Sequence, residues 1–452
     1  MSDATFDVVV VGSGVAGSAC AAMLAREGMR VALVDGRPEE KAGARWVNAV
    51  PATAFDTARV ARPTGDELCA SGHSFEVASP SAAVRLTMED HDVLEVDMRL
   101  LGARMRRDAR EAGVATRFES PVSRVHVERG RVRAVEVKGD TLRAALFVDA
   151  SGLPAVLRRA RFPQWAAIDR AHLCTAAQGV FDIADRRGAE QFLARERLRD
   201  GAIFARTGIE GGFSVLNVRV DVESDHVAVL AGSIQDCAGR PSGVQMLESF
   251  VASEPWIGTK RFGGSGAIPL RRPYARLGSE GLALLGDAGC MVFAAHGSGI
   301  ATGLRAARLL ADAVRGRSDP GAAEATWDYA AAFHRQEGGI LLAYDVVRRL
   351  TQSLDRHELE ALLETGIVTS ASVRAGFVQA APPASFGEAA RVVRASMRAP
   401  RLAMKAAMRV KNVPLCLTHP RKYPAAVDLR ALAEHEKRSA ALVGDEAADA
   451  VD

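Results

Sequence analysis

Two glycine-rich stretches, each with a carboxylate nearby, are the parts of this sequence whose residue types and spacing suit chemistry. Near the start, Gly12, Gly14 and Gly17 form a G-x-G-x-x-G pattern, and Asp35 lies further on. Far downstream, residues 284–300 read LLGDAGCMVFAAHGSGI, with Asp287, then His296, then Gly297, Ser298 and Gly299. Glycines let a phosphate or a flat ring approach the backbone, and a carboxylate can hold sugar hydroxyls. A histidine titrates near neutral pH and can move a proton.

The elements that must position these residues follow from the pattern around them. Residues 6–11 are rich in β-branched side chains and predict a buried strand. Ala16, Ala19, Ala21, Ala22 and Leu24 continue at helical spacing after Val15, and residues 31–34 predict a second strand with Asp35 and Gly36 at its tip. Gly12 permits the turn, Gly14 admits a pyrophosphate, and Gly17 lets helix and sheet pack closely. The helix N-terminus then faces the phosphates. With strand, helix, second strand and acid all in place, the unit is expected to bind an ADP moiety. It does not separate NAD from FAD.

Residues 122–152 predict a β-meander that begins at Val122 and ends in Asp149-Ala150-Ser151-Gly152. Asp149 is then another carboxylate at a strand tip, suited either to a cofactor or to capping a turn or helix. Residues 165–265 predict an antiparallel sheet of their own. Residues 282–285 predict a strand returning to the nucleotide sheet, with Asp287 brought to the cofactor. From Gly297 a helix is expected, with Ile300, Leu304, Ala307 and Leu310 on one face and its positive end toward the ligand. A flavin accounts for these features together. Asp287 would accept from a ribityl hydroxyl, the helix end would stabilise charge at the flavin N1/C2 edge, and the glycines would admit the ring. The expected fold is α/β: a Rossmann-like FAD-binding domain of glutathione-reductase type (1–164 and 266–320), with 46–92 contributing to the substrate side. An inserted antiparallel substrate domain (165–265) and a helical C-terminal region (321–452) complete it.

On Gly12-x-Gly14-x-x-Gly17 with Asp35, DASG at 149–152 and GDAG…GSGI at 286–300, the sequence resembles a superfamily of FAD-dependent enzymes. It holds p-hydroxybenzoate-type hydroxylases, geranylgeranyl reductases and flavin-dependent halogenases. The resemblance covers about residues 5–330. It implies that Asp287 meets the ribityl chain and that Gly297 to Gly299 line the isoalloxazine. It also places Arg45 in a loop that reaches the flavin edge, unless Arg45 is a surface arginine. Two positions depart from the pattern. Ala294 stands where proline is usual, and Met98 follows Asp97 where arginine is usual, with Arg99 adjacent as the substitute.

The resemblance leaves the reaction open. Halogenases use an early lysine and a W-x-W-x-I-P motif, whereas no lysine occurs between Lys41 and Lys138 and Trp256 stands alone in EPWIG. Geranylgeranyl reductases share the GAIPL-to-GDAG stretch but carry an early cysteine-glycine motif that RWVNAVP replaces here. Hydroxylation needs a dry pocket and a positive flavin edge. A flavin monooxygenase is the expected activity, with double-bond reduction of a prenyl lipid as the alternative and a non-catalytic flavin-holding scaffold as a third. His296 is the candidate catalytic residue, or else a loop histidine satisfied by backbone. No second G-x-G-x-x-G precedes a helix, so NAD(P)H binds transiently or a separate flavin reductase supplies electrons.

The formal net charge of the 452-residue chain is +3, which does not point to nucleic acid. Scattered cysteines and histidines without H-x-x-x-H spacing predict no metal site. The start of the sequence lacks signal-peptide features, so a cytoplasmic location is expected. The substrate is expected to be a small molecule or carrier-bound. Residues 391–411 are basic and amphipathic, which suits a membrane surface, an acidic carrier protein or plain solvent. The acidic end, GDEAADAVD, is expected to be disordered.

Overall fold

A computed structural model describes residues 3–72, 74–237, 239–382, 392–394 and 396–452. The first β-branched run forms β1 (Asp3–Val11), followed by helix α1 (Val15–Arg26) and β2 (Val31–Val34). Helix α2 (Met98–Glu111) packs on α1. The meander supplies β3 (Asp140–Asp149), entered where the chain reverses at Gly139 (φ +85°). Val8, Val9 and Val10 are fully buried, as expected for a strand covered on both faces.

The inserted sheet contains β4 (Leu173–Ile183) and β5 (Ile257–Pro269), paired antiparallel, with β5 at its edge. Among the described residues it holds seven strands and takes in Phe75–Ala78 and Arg85–Met88 from the earlier part of the chain. The chain then returns through β6 (Leu282–Leu284) to helix α3 (Ile300–Val314).

The nucleotide sheet orders its central strands β6-β3-β1-β2, all parallel. In register, Val11 lies beside both Val34 and Asp149, and Asp149 lies beside Leu284. Four strands therefore end on one line, and the loops after them converge at the carboxyl edge, where open α/β sheets bind ligands. Gly303 in α3 meets Ala16 in α1, where a Cβ would sit 3.0 Å from the alanine methyl. That close crossing brings the N-termini of the two helices to the same edge.

The C-terminal region is helical and includes α4 (Gly339–Gln352), α5 (Pro400–Val410) and α6 (Leu429–Val443). The acidic end is not disordered, contrary to the expectation from its composition. Asp445 pairs with Arg349 (2.6 Å) and Arg272 (2.9 Å), and Asp449 pairs with Arg271 and Arg272. The Val451 carbonyl accepts from Arg276 at 2.5 Å. Composition alone could not show this, because the arginine partners lie far upstream in the sequence. Burial alone would raise Asp449, but Arg271 and Arg272 hold its carboxyl below the usual range.

Candidate functional site

The turn after β1 has the form that close packing demands. Gly12 has φ +108°, and a Cβ there would lie 2.1 Å from the Ala150 carbonyl oxygen. A Cβ at Gly17 would lie 2.0 Å from the Gly12 oxygen. Gly14 differs: a Cβ there would meet only Gly43 Cα, at 4.0 Å. Gly14 is therefore spared a side chain for the space in front of it, not for packing. It is also the N-cap of α1 and supplies no side-chain cap, so that end of the helix keeps its amides for a ligand. Val15 is buried, and Ala16 serves the helix crossing.

Asp35 is buried at the tip of β2. Its Oδ2 accepts from the Ser13 amide (2.9 Å) and hydroxyl (2.8 Å), and its Oδ1 accepts from the Arg37 amide (2.9 Å). Burial would raise its pKa, but these bonds and the Arg37 charge hold it below the ordinary value. Arg37 Nε is the weakest partner at 3.4 Å and the one a ribose hydroxyl would displace. Gly36 lies against Pro121, which sets the half-buried Val122 beside this loop.

Asp149 does not face the cofactor side. One of its oxygens accepts from the Ser151 amide (3.1 Å) and hydroxyl (2.6 Å), and the other from the Leu157 (2.9 Å) and Arg158 (2.8 Å) amides. With both oxygens occupied in a fully buried site, it is a cap, and its assignment as a cofactor ligand is corrected. Gly152 takes φ +76° and turns the chain toward the helix that Asp149 caps.

A positive residue reaches Gly14 from α2, and the sequence reading missed it. Arg99 does not substitute for the arginine absent at Met98. Its guanidinium is paired with Asp97 at 2.6 Å and stacked over Phe262 at 3.3 Å. Arg106 occupies the place instead. It is 3% exposed, and its Nη1 lies 4.0 Å from the position of a Cβ on Gly43, the residue facing Gly14. Its bonds to the Ser13 and Ala42 carbonyls are both long, at 3.4 Å, and its Nε has no hydrogen-bond partner. Burial lowers its pKa. Gly102, one helical turn earlier, makes room for it, since a Cβ there would sit 3.2 Å from Arg106 Nη1. A glycine inside an amphipathic helix, four residues before an arginine, was the available signal.

Beyond β6, Asp287 comes to the same edge. No protein hydrogen bond to its carboxyl is present among the described residues, and Oδ1 would lie 3.2 Å from a Cβ on Gly299. Though only part-exposed, it sits deep in the cleft, and desolvation pushes its pKa up to about 6. Gly299 is the N-cap of α3, again without a side-chain cap. Ser298 is buried with an unpartnered hydroxyl. The loop is pinned by Phe293 N–H donating to the Ser298 carbonyl (3.1 Å) and Gly297 N–H donating to the Phe293 carbonyl (2.9 Å), so it needs no proline at Ala294.

His296 projects into this cleft. Its side chain is solvent-exposed, and desolvation by the surrounding protein lowers its pKa to about 4. Its Nε2 lies 3.5 Å from Gln379 Nε2, a partner from the C-terminal region that no local pattern indicated. Arg45 lies beside β5, its Cβ 3.7 Å from the position of a Cβ on Gly264, and its guanidinium bonds the Glu40 carbonyl.

These features fit FAD. Gly14 leaves a cradle that a Cβ would narrow, two helix N-termini lack side-chain caps, and Ser298 Oγ and Arg106 Nε are buried without partners. The family description FAD dependent oxidoreductase matches residues 7–220. Digeranylgeranylglycerophospholipid reductase of Sulfolobus acidocaldarius is 23% identical over 393 residues, 81% of this chain and 82% of that protein. Menaquinone reductase of Mycolicibacterium smegmatis is 28% identical over 323 residues, 68% of this chain and 75% of that protein. The crystal structure of a geranylgeranyl bacteriochlorophyll reductase-like protein from Thermoplasma acidophilum shares the fold with a TM-score of 0.73 at 16% identity, covering 91% of this chain and all of that one. The chain thus matches the FAD dependent oxidoreductase family over residues 7–220 and shares its fold with the geranylgeranyl bacteriochlorophyll reductase-like protein.

Proposed function

We propose that this oxidoreductase reduces carbon–carbon double bonds of a polyprenyl lipid, the alternative of the sequence analysis, in place of the monooxygenase reading put first there. The observation that carries the proposal is the wall beside the Gly297 loop. A Cβ on Gly297 would touch Ile268 and Leu270 at 3.7 Å, and further along the same strand Gly264 and Gly266 lie under Trp46. Glycine backbone, aliphatic side chains and one indole suit a long apolar chain. The names of the relatives, which include reductases of geranylgeranyl lipids and menaquinone, support the same reading.

In this reading Gly14, the α1 N-terminus and Arg106 hold the pyrophosphate, Asp35 holds ribose, and Asp287, Ser298 and the α3 N-terminus hold the flavin end. Bound FAD would supply the electrons of the reduction, refilled by NAD(P)H or a separate flavin reductase. The lowered pKa leaves His296 uncharged at neutral pH, so one ring nitrogen carries a proton and the other accepts one. Gln379 contacts the ring at 3.5 Å, and His296 relays a solvent proton to the lipid carbon, one ring nitrogen releasing its proton as the other takes one up. The test is spectroscopic. Enzyme whose flavin has been photoreduced without oxygen is mixed with a geranylgeranyl lipid. The yellow colour should return anaerobically; flavin that stays reduced until air is admitted would count against double-bond reduction.

A further inference from the structure

Residues 391–426 contain no acidic side chain, and part of this stretch folds as α5. The helix already has a buried face. Leu402 and Ala406 pack with Leu350, Leu354, Leu359 and Leu362. Its outer face is nevertheless apolar as well. Met404 is 63% exposed and Met408, one turn on, 64%, while Val393 and Met397 reach 64% and 72%. Among the described residues these four are the most exposed large apolar side chains in the molecule, and Leu415 at 50% is next. Apolar exposure of this kind, concentrated in one segment, marks an interaction surface.

The charges around it select the partner. Lys405 is paired with Glu358 at 2.7 Å and is committed to the fold. Arg394, Arg398, Arg401, Arg409 and Lys411 have no salt-bridge partner among the described residues, whereas most arginines elsewhere in the chain are paired. Methionines and a valine flanked by unpaired cations, with no acid in the stretch, complement an interface that is apolar within and anionic at its surface. No helix among the described residues is long and apolar enough to cross a membrane, so the contact is peripheral. Arg391 lies outside the described residues.

We infer that the outer face of α5 and the residues leading into it dock this protein on an anionic lipid bilayer, with Met397, Met404 and Met408 entering the acyl boundary and the arginines meeting the headgroups. The inference stands apart from the proposed reaction, because its readout is vesicle binding. Full-length, FAD-loaded protein is sedimented with vesicles of phosphatidylcholine containing phosphatidylglycerol, and with phosphatidylcholine alone. Binding is expected to the anionic vesicles only, and to weaken as salt rises. The Met404→Glu/Met408→Glu and Arg401→Gln/Arg409→Gln variants should each bind at least about tenfold more weakly, with bound FAD and Tm unchanged. Both pairs lie on the solvent side of the helix, so the fold should tolerate them; if one pair lowers Tm, the other decides. No binding to anionic vesicles at low salt overturns the inference. So does equal binding of folded variants and wild type, or capture of an acidic carrier protein alone.

Discussion

Arg106→Met separates the phosphate-binding role of Arg106 from a role in the fold. In the protein without cofactor, Arg106 makes two long bonds of 3.4 Å, leaves Nε unpartnered and stands 3.7 Å from Glu39. Glu39 keeps a nearer partner in Arg110 at 2.7 Å. Replacing a poorly paired buried charge with an apolar chain of similar length is close to neutral or stabilising. The Tm of the apoprotein should therefore stay level or rise. With FAD the sign reverses. A charge-assisted bond to phosphate is worth roughly 1.5–3 kcal/mol, which is about one to two decades in Kd. Flavin fluorescence titration should show FAD binding weakened by that factor and riboflavin binding unchanged, since riboflavin has no pyrophosphate. Gly102→Ala should give a smaller loss in the same direction, because its methyl crowds Arg106 Nη1. Equal losses for FAD and riboflavin, or none for either, would refute the placement of Arg106 at the phosphates.

The remaining predictions concern charge, proton transfer and the tail. Burial raises Asp287 from 3.8 to about 6, so the folded apoprotein bears the cost of its ionised form above about pH 6 and not below about pH 4. Asp287→Asn should thus stabilise the apoprotein above pH 6 by up to about 3 kcal/mol, less what cleft water screens, with the gain vanishing toward pH 4 in thermal melts. The same variant should hold FAD less tightly in equilibrium dialysis. His296→Ala should keep FAD and lose on the order of 10²-fold in kcat; full activity across the pH range would make it a loop residue only. Truncation before Asp445 strips Arg271 and Arg272 of Asp445 and Asp449 and should destabilise the protein by roughly 3–5 kcal/mol in denaturant unfolding. An unchanged midpoint would show that the docked tail contributes nothing.

The sequence made legible what is local or repeats with a fixed period. The β1–α1–β2 unit and the return of β6 and α3 followed from strand and helix spacing around the glycines, because those glycines answer to contacts a few ångströms away. The place of Gly14 and Asp287 in loops at the carboxyl edge of the sheet followed from the strands that precede them. What stayed hidden depends on pairing across the chain. Asp149 reads as a ligand until the Leu157 and Arg158 amides that use up its second oxygen are seen. Arg99 and Arg106 have the same side chain, and only the turn of α2 and the space at Gly102 decide which one reaches Gly14. Gln379 meets His296 across 83 residues of sequence. The tail has the composition of a solvated segment, yet it meets the buried Arg271 and Arg272 and the half-buried Arg276, which follow the inserted sheet.

The most direct test of the account is the mass of the lipid product. The purified FAD-loaded protein, with dithionite as reductant and oxygen excluded, is incubated with a geranylgeranyl lipid, and the extracted lipid is analysed by mass spectrometry. The account predicts a mass gain of one hydrogen pair for each double bond reduced, abolished when FAD is removed. A lipid recovered unchanged without oxygen, together with a product that gains an oxygen atom once air is admitted, would contradict it.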